Sequence, residues 1–153
     1  MRGETKLIFP GLADFYDRMA PVVYAITRFT IGATIFMHGW AKVTGPGATG
    51  VGRMFGGLSL PAPGLLAYCA IGLETVGAAC VAVGLFTRFF AAALAVEMLI
   101  AMFAVHWANG FLVSVAQQKN GYEFVLLLGV VLFAIAIRGG GPYSVDAKLP
   151  KEL

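Results

Sequence analysis

The sequence predicts an all-α membrane protein, a four-transmembrane-helix bundle with both termini in the cytoplasm. Hydrophobic residues make up 59% of the 153-residue chain and charged residues only 12%, and the mean hydropathy is +0.81, well above the range of soluble domains. Four long apolar runs fill most of the chain, and about 18 apolar residues suffice to cross a bilayer as a helix. We therefore expect a single integral membrane domain, residues 1–153, with no separate soluble domain.

The first segment, residues 1–19, lacks the apolar core and the small-residue cleavage site of a signal peptide. Its apolar residues recur at helical spacing from Leu12 to Met19, which predicts a short interfacial helix lying on the membrane. Pro21 is then expected to open the first span.

The four spans are predicted at residues 20–41, 65–86, 89–107 and 121–138. The connection 43–64 is rich in glycine and proline but apolar in its middle, which favours a re-entrant or interfacial segment. Cys69 and Cys80 are eleven residues apart in the second span, too far for a disulfide, and are interpreted as small packing residues. The tail 139–153 is polar, and its Asp146 is expected to cap a final turn or to bind Arg138.

Basic residues predict the orientation of the bundle, because cytoplasmic loops carry an excess of them. Seven lie on the side of the termini: Arg2, Lys6, Arg18, Arg88, Arg138, Lys148 and Lys151. Three lie on the other side: Lys42, Arg53 and Lys119. Both termini are therefore expected in the cytoplasm, and the net charge of +3 reflects this topology rather than a nucleic-acid partner.

Ionisable residues inside the apolar runs are the main indication of function. A charge in the hydrocarbon core costs at least about 2.5 kcal/mol unless it finds a partner, so these side chains should face one another. A rise of about 1.5 Å per residue places Arg28, Glu74 and Glu97 near the middle of the membrane, where we expect Arg28 to pair with one or both carboxylates as an internal polar site. His38, Lys42, His106 and Glu123 form a second set, an outer-mouth cluster, at the outer ends of the helices.

Each set admits more than one role. The internal set could fix which helices are neighbours, line a ligand site or proton path, or contact a partner. The outer set contains two imidazoles and a carboxylate from three helices, more than packing requires. Neither haem nor another metal is predicted, because His106 points away from the small-residue face of its helix and no local ligand spacing supports a metal.

Three patches resemble the DoxX family of small four-span bacterial membrane proteins. They read RFTIGATIFMHGWAK (28–42), GLETVGAACVAVGLFTR (72–88) and NGYEFVLLLGVVLFAIAIRGGGPYSVD (120–146). The resemblance implies a four-helix bundle in the bacterial inner membrane, and the family's polar and glycine positions match Arg28, His38, Gly39, Lys42, Glu74, Gly84, His106, Glu123, Gly139, Gly141 and Asp146. Glu97 has no counterpart in that pattern, so its role rests on its position alone.

What the resemblance implies about activity is a redox-associated membrane subunit. Some relatives are subunits of quinone-linked oxidoreductases, and many have no assigned activity. Nothing in the sequence predicts a flavin, nicotinamide or iron–sulfur site, so electron transfer would use a quinone or the cofactor of a partner. We expect no covalently bound cofactor, and membrane lipid, a redox partner protein or a second copy of the chain as partners. A small transporter or proton path and a purely structural assembly partner are the alternatives, and the sequence does not decide whether the chain is catalytic.

Overall fold

The computed structural model describes residues 7–114 and 119–150, and helices dominate both parts. The elements in chain order are a 3₁₀ turn Pro10–Leu12, α1 (Ala13–Thr44), α2 (Gly47–Gly57), α3 (Pro63–Gly72), a π-helical turn Leu73–Gly77, α4 (Ala78–Val83), α5 (Thr87–Ala101), a π-helical turn Met102–His106, a 3₁₀ turn Trp107–Asn109, α6 (Glu123–Arg138) and a 3₁₀ turn Asp146–Lys148. Apart from these, Ser114 and Lys119 form an isolated antiparallel bridge.

Three helical stretches are long and apolar enough to cross a membrane: Pro10–Thr44, Pro63–Val83 and Thr87–Asn109. The chain is therefore a multi-pass membrane protein whose helices contact lipid, as predicted for the first three spans. The fourth apolar helix, α6, has 16 residues and rises about 24 Å, less than the roughly 30 Å of a hydrocarbon core. Its crossing and the orientation of the termini stay predictions.

The beginning of the chain differs from the expectation. Residues 13–19 are the first turns of α1, which continues through Pro21 to Thr44, so no separate interfacial helix ends at Pro21. An interior proline removes one backbone donor and normally kinks or breaks a helix, but transmembrane helices tolerate proline because neighbouring groups satisfy the freed backbone carbonyl. Residues 1–6 of the predicted interfacial segment lie outside the described residues.

The centre of the connection 43–64 is the 11-residue helix α2. This helix packs on α3, with Val51 3% and Ala67 0% exposed. The two helices are in contact at Gly52, where an added Cβ would lie at an ordinary van der Waals distance of 3.5 Å from Gly64 Cα. The connection is thus a short helix at one end of the bundle, and its re-entrant or interfacial position in the membrane stays a prediction.

The long helical stretches pack as two pairs: α1 packs on α4, the last part of the stretch Pro63–Val83, and α5 packs on α6. At the α1–α4 crossing, a Cβ on Gly32 would lie 2.6 Å from Ala82 N and 2.7 Å from Ala78 O, so only glycine permits this distance. The pairs share a core that includes Ile35, Leu94 and Leu132, each at most 1% exposed.

The two pairs meet mainly at one end. α5 packs against α4 and the Leu73–Gly77 turn but scarcely against α3, so the pairs diverge away from the tight turn at Gly84. We call the closed end, with Gly84, the Gly84 end, and the opposite end, with Lys42, the Lys42 end.

The tail after α6 folds back onto the Gly84 end. Asp146 accepts hydrogen bonds from Phe86 N (2.7 Å), Thr87 N (2.9 Å) and Thr87 Oγ1 (2.6 Å). The expectation that Asp146 caps its own final turn or binds Arg138 is wrong: it caps α5, whose first backbone N–H groups have no partner within their own helix. Residues 151–153 of the predicted tail lie outside the described residues.

Candidate functional site

A cavity of about 960 Å³ lies at the Lys42 end, where the helix pairs diverge. Its walls come from α1, α3, α5 and α6, and Met54 and Phe55 of α2 cover one side. Most of the lining side chains are apolar. Its size is at the upper end of the range of about 300–1,000 Å³ typical of small-molecule sites.

Six of the seven predicted site residues line this one cavity. They are His38, Lys42, Glu74, Glu97, His106 and Glu123. Glu74 and Glu97 thus share one cavity with the predicted outer-mouth cluster, and their predicted depth near the middle of the membrane stays a prediction.

Lys42 and Glu74 form an ion pair in the cavity wall. Lys42 Nζ donates to Glu74 Oε1, and the side chains are 27% and 6% exposed, respectively. Gly39, one turn before Lys42, makes this pairing feasible: a Cβ there would lie 2.6 Å from the carbonyl carbon of Glu74. The absent side chain lets α1 approach the Leu73–Gly77 turn until the lysine reaches the carboxylate.

Two carboxylate oxygens in the cavity wall have no hydrogen-bond partner within the described part of the chain. They are Glu74 Oε2 and Glu97 Oε2, and both atoms are buried. A buried oxygen without a donor is energetically costly. Both residues border the cavity, so these carboxylates are the candidates to accept a hydrogen bond from a molecule that enters it.

His106 and Glu123 hold the connection between α5 and α6. His106 Nδ1 lies 2.8 Å from Asn120 O, and Glu123 Oε1 accepts from Val113 N at 2.8 Å. Both side chains thus position the loop that borders the cavity.

His38 is exposed and lies beside α6. Its ring centroid is 6.0 Å from that of Phe124. Among residues 7–114 and 119–150, no group of three or more His, Cys, Asp or Glu side chains is arranged to hold a metal ion.

Arg28 is the predicted site residue that the structure places elsewhere. It is 2% exposed and donates to Val81 O (2.9 Å), Ala82 O (3.1 Å) and Tyr143 O (2.7 Å) at the Gly84 end. The predicted pairing with Glu74 or Glu97 is wrong, because the last carbonyls of α4 lack helical donors and lie at the level of Arg28.

Gly84 accommodates this arginine. Its φ of +77° is in the left-handed region, and a Cβ there would lie 2.2 Å from Arg28 Nη1. Arg28 therefore joins α1, α4 and the tail, an architectural role at the closed end of the bundle.

Two features of the site were not predicted. Cys69 lines the cavity and is exposed, although it was interpreted as packing material. The π-helical turn that carries Glu74 was also missed, since no sequence signal marks a single π turn, although such turns are frequent at functional sites.

The cavity combines an extended apolar wall with a compact polar group. The Lys42 ammonium can donate hydrogen bonds, the free oxygens of Glu74 and Glu97 can accept them, and neutral imidazoles can do either. Such a site suits an apolar molecule with a small hydrogen-bonding head.

The family model DoxX matches residues 23–107, more than half of the chain. The matched segment includes Arg28, Glu74 and Glu97 but ends before α6, so Glu123 and Asp146 lie outside it. The searches of curated proteins and of solved structures found no match.

Proposed function

The chain belongs to the DoxX family, and on that premise we propose that it is a redox-associated membrane subunit whose cavity binds a quinone head group. The observation that carries the proposal is the apolar cavity of about 960 Å³ with the Lys42–Glu74 ion pair and two free carboxylate oxygens in its wall. A bound quinone would supply two-electron, two-proton exchange with a partner's cofactor.

The polar residues suit both redox forms of such a head group. A quinone carbonyl accepts hydrogen bonds, and Lys42 Nζ is the cation in the wall that can donate one. The hydroxyls of the reduced form donate, and the free oxygens of Glu74 and Glu97 can accept them. Carboxylates at this position can also take up or release the protons that accompany reduction.

The proposal includes the topology. The excess of basic residues on the side of the termini favours a cytoplasmic location for both, with α6 as a fourth span in a bacterial inner membrane. The cavity would then face the outer half of the bilayer. A partner protein, or a second copy of the chain, would complete the redox complex.

Protection of Cys69 tests the quinone site directly. Protein in phosphatidylcholine nanodiscs is treated with N-ethylmaleimide at increasing concentrations of duroquinone, a fully substituted quinone that cannot add a thiol, and modification of each cysteine is followed by mass spectrometry. We expect saturable protection of Cys69, which lines the cavity, but none of Cys80, which does not. Protection by the reduced form, duroquinol, whose hydroxyls can donate to a carboxylate, should weaken about tenfold in Glu97→Gln, equivalent to about 1.4 kcal/mol, and not in the exposed control Asp17→Asn.

The opposite pattern would refute the site. Equal modification of Cys69 with and without duroquinone would show that no quinone head group binds among these residues. The same conclusion would follow if Lys42→Met left protection by duroquinone unchanged and Glu97→Gln left protection by duroquinol unchanged.

A proton path is the second candidate, because five histidine and glutamate side chains line one cavity together with Lys42. Arg28 and the tail occupy the Gly84 end between this cavity and the other side of the membrane, which argues against a continuous path. Proteoliposomes would separate the candidates: proton flux that disappears in Glu74→Gln supports a path, whereas flux no greater than in protein-free vesicles excludes it.

A further inference from the structure

The cavity has a lateral gap between α3 and α5. These helices border the cavity but scarcely pack against each other, because α5 contacts the second span through α4 and the Leu73–Gly77 turn. Leu66 and Cys69 line the cavity on the α3 side of the gap, and Val96 and Ile100 line it on the α5 side.

The α5 side of the gap faces both the cavity and the surroundings of the bundle. Val96 is 57% and Ile100 is 53% exposed, yet both line the cavity. They belong to a helix that is long and apolar enough to cross a membrane, so their exposed surface contacts hydrocarbon. The α3–α5 gap is therefore the place where lining residues of the cavity are also exposed on the surface that faces the bilayer.

Side chains of the described residues cover two other sides of the cavity. At the Lys42 end, Met54 and Phe55 of α2 lie over the cavity. Between α1 and α6, the rings of His38 and Phe124 lie 6.0 Å apart. This side of the cavity therefore carries two aromatic rings, one of which is polar. The α3–α5 gap offers an apolar rim instead.

We propose that the ligand reaches the cavity from the hydrocarbon phase through the α3–α5 gap, and that its apolar tail remains between Leu66 and Ile100. The inference rests on the proposed quinone site and specifies its ligand class: a membrane-dissolved quinone with a long isoprenoid tail rather than a water-soluble one. The head group then lies at Lys42, Glu74 and Glu97, and the tail lies along an apolar surface that gives it affinity.

A bulky residue in the gap tests this route. Ile100→Trp narrows the gap, whereas Leu99→Trp is a matched control, because Leu99 is its neighbour on α5, is also 53% exposed and does not line the cavity. Cys69 protection is measured with a long-tailed ubiquinone incorporated in the nanodisc and with duroquinone. Ile100→Trp should raise the ubiquinone fraction needed for half protection about tenfold and change the duroquinone value less than about twofold, whereas Leu99→Trp should change neither.

Leu66→Trp, on the opposite side of the gap, provides a second variant and should behave as Ile100→Trp does. Unchanged ubiquinone protection in both gap variants would overturn the inference, and so would equal weakening of both quinones. Protection of the unmodified protein by duroquinone but not by ubiquinone would overturn the tail position and leave the quinone site intact. If neither quinone protects Cys69, the proposed function itself fails.

Discussion

Replacing Lys42 with methionine should destabilise the protein markedly, because it leaves the Glu74 carboxylate buried without its cation. Removing one partner of a buried ion pair costs about 3–5 kcal/mol. Glu74 is 6% exposed but Lys42 is 27% exposed, and partial hydration of the lysine reduces what the pair contributes. We therefore expect the lower limit, about 3 kcal/mol, which corresponds to a change of more than a hundredfold in the unfolding equilibrium.

The charge of Glu74 is the cause of this loss, and a double-mutant cycle isolates it. Glu74→Gln alone should cost about 1 kcal/mol, since Lys42 retains access to water. The double variant Lys42→Met/Glu74→Gln should be more stable than Lys42→Met alone. The free energy of unfolding is measured by titration with sodium dodecyl sulfate in mixed micelles, with Arg53→Met on the exposed surface of α2 as the control for losing a cation. If the two single variants add without coupling, the ion pair does not stabilise the Lys42 end.

Three further substitutions test the packing with the same unfolding assay. Asp146→Ala removes the cap of α5 and should cost about 2 kcal/mol; a loss below about 0.5 kcal/mol would show that the tail does not support the bundle. Arg28→Lys keeps the charge but cannot bridge three carbonyls, so a loss of about 2 kcal/mol is expected, and wild-type stability would contradict the architectural role. Gly39→Ala places a Cβ 2.6 Å from the backbone of Glu74. It should lower the free energy of unfolding by about 1–3 kcal/mol and weaken the protection of Cys69 by duroquinone. Unchanged stability and protection would mean that α1 can shift without losing the site. The matched controls are Asp17→Ala, Arg18→Lys and Gly72→Ala, which are expected to be near neutral.

The sequence predicts the helices well because their length and hydropathy leave few alternatives. A run of about 20 apolar residues must satisfy its own backbone hydrogen bonds in a membrane, and a helix achieves this. The start of α1 could not be read correctly, since Pro21 can either open a helix or lie within one. α2 was missed because its glycines lower helix propensity, and packing against α3 compensates for that.

The members of the candidate site were predictable but their partners were not. Buried charges have to face the interior of a bundle, which is why six predicted residues line one cavity. Pairing depends on side-chain reach and on which carbonyls a helix end leaves free. Arg28 binds the carbonyls of Val81 and Ala82, and Lys42 reaches Glu74 past Gly39; depth counted along straight helices reveals neither contact.

The central claim is that the cavity at the Lys42 end holds a quinone, and photoaffinity labelling tests it most directly. A ubiquinone analogue with a photoreactive group on its ring is incorporated in nanodiscs with the protein, activated by light, and the labelled residues are identified by mass spectrometry. Labelling should concentrate on the cavity wall around Glu74, Glu97 and Ala101 and disappear with excess unlabelled ubiquinone. Labelling that excess ubiquinone leaves unchanged, on exposed residues of α6 outside the cavity such as Phe133 and Ile137, would contradict the account.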